Sequence, residues 1–193
     1  MFHPHTERLI REWRERRIGG QLPARAEMSP VAFGPLLPQL FILGREKAGA
    51  EVFRLAGGLV NDLHGRELKG VNFLQLWVAG EREKIELSLG QARLLRSPLV
   101  ITAEAIAASG QSISVEITLA PMVGPTGLAD RIMGLYQPTS LTARLAGEPV
   151  TQLRLTDLTI VGPAERPSAM PHPAAQRRGA HLRLAAVNGR IVA

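Results

Sequence analysis

The sequence predicts an α+β fold: a five-stranded antiparallel sheet with helices on one face, preceded by a separate amino-terminal helix. Three observations carry this. Between residues 99 and 137 an apolar period of two recurs in three stretches divided by turn signals. Immediately before them, residues 81–95 carry apolar residues at helical spacing. Two shorter β-prone runs lie further upstream, around a turn-rich loop. Helices inserted between the second and third strands of one sheet satisfy that order.

Thr6 to Arg17 reads as the first helix, with Thr6 as its cap, arginines in its last turn and Gly19-Gly20 as its stop. Its apolar stripe, Leu9, Ile10 and Trp13, suits docking or a partner contact but makes no core alone. An extended linker follows at Leu22–Arg25. Ser29-Pro30 opens a short helix that Pro38 ends. Leu40–Arg45 and Glu51–Ala56 form a hairpin across Glu46–Ala50. Short helices are expected at 59–63 and 73–77. In the long helix, Ile85, Leu89, Ala92 and Leu95 mark one face, widened by Leu87 and Leu94, with Arg93 left wet. Leu99–Ala108, Ser112–Leu119 and Arg131–Gln137 then read as a three-stranded meander, with Leu153–Val161 as a candidate extra strand. The organisation expected is a helix and linker over 1–28, a domain over 29–150, a further strand within 151–162, and a proline-rich basic tail over 163–193.

The chain holds 193 residues, 45% of them hydrophobic, enough for one domain with a real core. It has no cysteine, which removes disulfides, thiolate zinc sites and cysteine nucleophiles, and suits a reducing cytoplasm. No stretch approaches a membrane helix, and the first residues lack a signal-like apolar run, so a cytoplasmic location is expected. The net charge is +6, but residues 163–193 hold five arginines against Glu165 alone and so carry four of those charges. The rest is nearly balanced, and nucleic-acid binding is not clearly signalled.

Phe53-Arg54-Leu55-Ala56-Gly57, then Leu63-His64-Gly65-Arg66-Glu67-Leu68-Lys69-Gly70 and Phe73, together with Trp13, Pro23-Ala24-Arg25, Ser29-Pro30 and Leu37-Pro38 upstream, form an ordered set of motifs. This set resembles a bacterial, largely alphaproteobacterial, PAS-domain family formerly catalogued as a domain of unknown function. The resemblance spans roughly Arg8 to Pro149. Within its signature, Arg54, Gly57, Gly65, Arg66, Glu67 and Gly70 stand out. Gly57-Gly58 replaces the family's usual Gly-Thr pair, and His64 stands where an aromatic such as Phe is common. Arg54 reads first as a structural ion-pairing residue, with Glu67 as a candidate partner, and second as an anion contact.

Catalytic chemistry is not found. No phosphate-binding glycine motif, nucleophile elbow or metal-ligand set is present. His3 and His5 lack a third ligand. His64 reads as a capping or surface histidine before a pH switch. Glu104 and Glu116, on the polar sides of their strands, read as exposed.

No cofactor is implied. By resemblance, a ligand would lie between the sheet and the helix before its third strand, among Trp77, Leu87, Leu94, Ile101, Ala103, Ile117 and Leu135. The function expected is a non-catalytic sensory or adaptor module acting through contacts with an unidentified signalling partner, with a homodimer through Leu9, Ile10 and Trp13 as one form. The alternatives are a small apolar ligand in that space, or association of the tail with nucleic acid or membrane.

Overall fold

The computed structural model describes residues 1–162 and, beyond them, 186, 187, 190 and 191. The expected basic tail therefore lies mostly outside the described residues. What is described of it is a two-residue antiparallel pairing, Ala186–Val187 with Arg190–Ile191.

Residues 1–162 build one six-stranded, wholly antiparallel sheet. Its strands are β1 (Leu40–Arg45), β2 (Glu51–Ala56), β3 (Leu99–Ala107), β4 (Ser112–Met122), β5 (Arg131–Pro138) and β6 (Val150–Ile160), in the spatial order β2-β1-β5-β4-β3-β6. The fold class is the one the sequence predicts, with one strand more. That strand, β6, lies along β3 from Val150 beside Ala107 to Ile160 beside Leu99.

Between β2 and β3 the chain makes α2 (Gly58–Leu63), two short 3-10 turns and α3 (Arg82–Leu94). These cover one face of the sheet. There Phe41 and Leu43 of β1, Phe53 of β2, Ile132 and Tyr136 of β5, and the alternate residues of β3 and β4 meet Val60, Phe73, Trp77, Ile85 and Leu89 in one buried cluster. Strict alternation sends Leu40, Ile42, Met133 and Leu135 to the opposite face.

That second face is covered too, because α1 (Pro4–Glu15) lies on it. The helix starts two residues earlier than the sequence suggests. Pro4, whose ring fixes the helical φ, takes the first position, and His3 caps it by accepting from the His5 N–H. Thr6 is instead buried, its hydroxyl accepting from Thr118 Oγ1 at 3.1 Å. Leu9, Ile10 and Trp13 are 0, 3 and 0% exposed, and the Trp13 indole donates to the Pro121 carbonyl at 2.6 Å. The stripe read as a dimer contact is consumed inside its own chain. The period that makes a helix able to bind a partner also lets it close over a sheet, and here β4 and β5 present the matching apolar face. Glu116, read as exposed, is 7% exposed because α1 begins above it, and its carboxylate accepts from the N–H of the capping His3 at 3.0 Å.

From α1 the chain returns along the sheet. Arg25 N–H donates to Val123 O at 2.8 Å and Val123 N–H to Pro23 O at 3.0 Å, tying the linker to the end of β4. The segment Pro30–Gln39 then forms 3-10 turns, since Pro35 and Pro38 remove the donors a longer α-helix needs.

Candidate functional site

The space expected to hold a ligand is bounded by α3, the 3-10 turns and the inner face of β3, β4 and β5. Trp77, Ile101, Ala103 and Ile117 all lie there, each 1% exposed or less. Three other expected lining residues do not. Leu135 lies in the cluster beneath α1 on the far face, one residue out of phase with inward-facing Tyr136. Leu87 and Leu94 are 63 and 83% exposed. At about 100° per residue they fall about 200° and 180° round the helix from Ile85, so burial of Ile85, Leu89 and Ala92 turns both outward.

Aromatic rings fill much of this space. Phe41, Phe53 and Phe73 pack with centroids 5.3, 5.9 and 6.1 Å apart, and Trp77 stands edge-on to Phe73 at 5.8 Å. Beside them His64, at the end of α2, meets Tyr136 of β5 edge-to-face at 5.8 Å. His64 is 5% exposed and thus no surface cap. Its Nδ1 lies 3.2 Å from the Val150 carbonyl, which can only accept, so the ring proton sits on Nδ1 and Nε2 is left a bare acceptor. Burial pushes its pKa down to about 4, partly offset by that hydrogen bond, so the ring is neutral at pH 7. Burial likewise pushes the Tyr136 phenol up. His64 Nε2, Tyr136 Oη and Trp77 Nε1 are all buried with no hydrogen-bond partner among the described residues.

The signature residues divide into scaffold and surface. A Cβ on Gly57 would fall on the Pro38 carbonyl, so glycine lets α2 begin hard against the preceding turn. Gly65 and Gly70 have φ of 60° and 84°, and a Cβ on Gly65 would press on Pro149. Arg66 and Glu67 are exposed. Arg54 pairs with Glu46 across the hairpin at 2.5 Å, not with Glu67.

Two relationships were not visible in sequence. Arg93, expected to be wet, is 8% exposed and holds both Glu51 carboxylate oxygens, at 2.5 and 2.7 Å. The His64–Tyr136 contact joins residues 72 positions apart, and its only sequence signal was a histidine where an aromatic is common.

A family model described as a PAS domain matches residues 1–137. The chain belongs to the PAS family. The PAS fold is that of a sensory module, and this chain shares it. Among solved structures, the PAS chain is similar to the Rhodobacter sphaeroides LOV protein, with 16% identity and a TM-score of 0.43, covering 55% of this chain and 61% of that one. It is also similar to the dark structure of the blue-light photoreceptor Aureochrome1 LOV, with 13% identity and a TM-score of 0.44, covering 67% and 94%. This chain therefore spans about three fifths of the first of these relatives. No curated protein matches it. Among the described residues, no helix of this PAS protein is long and apolar enough to cross a membrane.

Proposed function

We propose that this PAS domain is a sensory adaptor that signals by protein contact, without chemistry of its own, and that its first partner is a second copy of the chain. The observation that supports this reading is that α3 carries two apolar faces. Ile85, Leu89 and Ala92 face the aromatic core, while Leu87 and Leu94 stand exposed on the opposite side. A change in the core would thus act on the helix that displays the outer leucines. Between those leucines lies Gly90, where an added Cβ would meet nothing within 4 Å, so another helix can approach closely there. The face is self-complementary. Two α3 helices antiparallel about Gly90 set each Leu87 against Leu94 of the other copy, and exposed Glu83 towards exposed Arg96.

The chain has no cysteine, which gives a direct test. Gly90→Cys under mild oxidation should form a covalent dimer, while Lys47→Cys in the exposed hairpin loop should not. Leu87→Asp with Leu94→Asp should abolish a dimer seen by native mass spectrometry. A wild-type chain that stays monomeric to millimolar concentration would overturn the reading.

A guest in the core is the second reading, favoured by the unpartnered His64 Nε2, Tyr136 Oη and Trp77 Nε1. Buried polar atoms are nearly always satisfied, so these favour a small guest with polar groups over a purely apolar one. Mass in excess of the chain that is lost on denaturation would support it. A mass equal to the chain alone under native conditions counts against it.

A further inference from the structure

The sheet face beneath α1 is not covered along its whole width. Beyond the helix, towards the β1–β2 edge, lies an open cleft of about 360 Å³ lined by Arg25, Ile42, Arg54, Leu55, Pro125 and Arg131. The three arginines come from three separate segments. Arg25 is brought in by the linker's pairing with Val123, Arg54 by β2 and Arg131 by the start of β5. Arg54 and Arg131 converge over Gly44 of β1, with Arg25 on the same cleft. A Cβ there would lie 2.5 Å from Arg54 Nε and 3.3 Å from Arg131 Nη1, so a glycine lets both side chains lie across the strand.

Three cations so close need negative charge. Glu46 neutralises Arg54, and Asp130 takes Arg131 at 2.9 Å. Each of these contacts engages one guanidinium nitrogen and leaves the others free. Arg25 has no carboxylate partner among the described residues, so the cleft keeps a net positive charge. Its floor is apolar, formed by Ile42 and by Leu55, which is 51% exposed.

We propose that this cleft binds a phosphate monoester carried on an apolar group. The guanidinium forks of Arg25, Arg54 and Arg131 match the oxygens of a phosphoryl dianion, and Leu55 and Ile42 receive the organic part. The site lies on the opposite sheet face from the aromatic core and does not depend on α3. The chemistry is shared by a phosphorylated small molecule and a phosphorylated side chain of another protein.

Isothermal titration of the full chain tests it with phenyl phosphate, inorganic phosphate, benzoate and a short phosphotyrosine peptide. Phenyl phosphate should bind about tenfold or more tighter than benzoate, since a dianion gains a further charge-assisted hydrogen bond. It should also bind more tightly than inorganic phosphate, and binding should weaken as salt rises. Arg25→Gln, which removes no ion pair among the described residues, should lose about tenfold in affinity, and Arg54→Gln should do the same. A peptide that binds more tightly than phenyl phosphate would assign the site to a phosphoprotein; equal or weaker binding would assign it to a small phosphate ester. No heat with any phosphate at millimolar concentration overturns the proposal. So does affinity unchanged in both arginine variants, or inorganic phosphate binding as tightly as the ester.

Discussion

Arg93 on α3 grips both carboxylate oxygens of Glu51 on β2, with the two side chains only 8 and 4% exposed. The pair ties the helix to the first residue of an edge strand. Its polar atoms are withdrawn from water, so losing Arg93 would leave the buried Glu51 carboxylate only the half-exposed Arg45, whose Nε stands 3.9 Å away, to balance it.

Arg93→Ala should therefore destabilise the fold by about 3–5 kcal/mol, read as a lower urea midpoint at unchanged slope. The double change Arg93→Met with Glu51→Leu should recover most of that loss. Equal damage from the double and single changes would show that the pair acts by shape and not by charge.

Stability should fall with acid through His64. Its pKa is about 4 in the folded chain against 6.5 in the unfolded one. Between those values the unfolded chain binds a proton that the folded chain refuses. The contribution is thus intact above pH 6.5 and is lost as pH drops through 4, amounting to about 3 kcal/mol. His64→Phe should flatten that part of the stability profile. Parallel profiles for variant and wild type would place the acid sensitivity elsewhere.

Trp13 tests whether α1 is part of the cooperative unit. Its side chain is fully buried and its indole N–H bonds the Pro121 carbonyl. Trp13→Ala should cost about 3–5 kcal/mol in the single unfolding transition. An unchanged main transition would mean that the helix melts separately from the sheet.

Gly57→Ala should cost about 1–3 kcal/mol although it adds one methyl group, because the added carbon meets the backbone carbonyl of Pro38, not a side chain that can swing away. Gly58→Ala, where an added Cβ meets nothing within 4 Å, is the control and should be neutral by comparison.

The sheet was legible in the sequence wherever period two ran long. The hairpin strands 40–45 and 51–56 fall where the pattern places them, because turn residues at 46–50 leave one pairing open. Side-chain destinations were harder. Hydrophobicity alone places Leu87 and Leu94 in the core, whereas their angular positions against Ile85 turn them outward. Leu135 is buried as expected but on the other face, a one-residue matter of strand phase that needs both faces to be known. Leu9, Ile10 and Trp13 read as a partner contact because an amphipathic helix shows that it needs a surface, not which surface. Arg93 and Glu51 lie 42 residues apart, and nothing local announces that they meet.

β6 has a practical consequence for dividing the chain. The family match ends at residue 137, yet β3 pairs along its length with residues 150–160, Val150 O accepts a hydrogen bond from His64 Nδ1–H, and Leu153 O accepts from Val78 N–H. A fragment cut at the family boundary would bare β3, nine residues of which seven are Leu, Val, Ile or Ala, as a raw sheet edge. Such a fragment should collect in inclusion bodies, while one ending after Gly162 should stay in solution. For handling this protein, the domain ends where its last hydrogen-bonded strand ends.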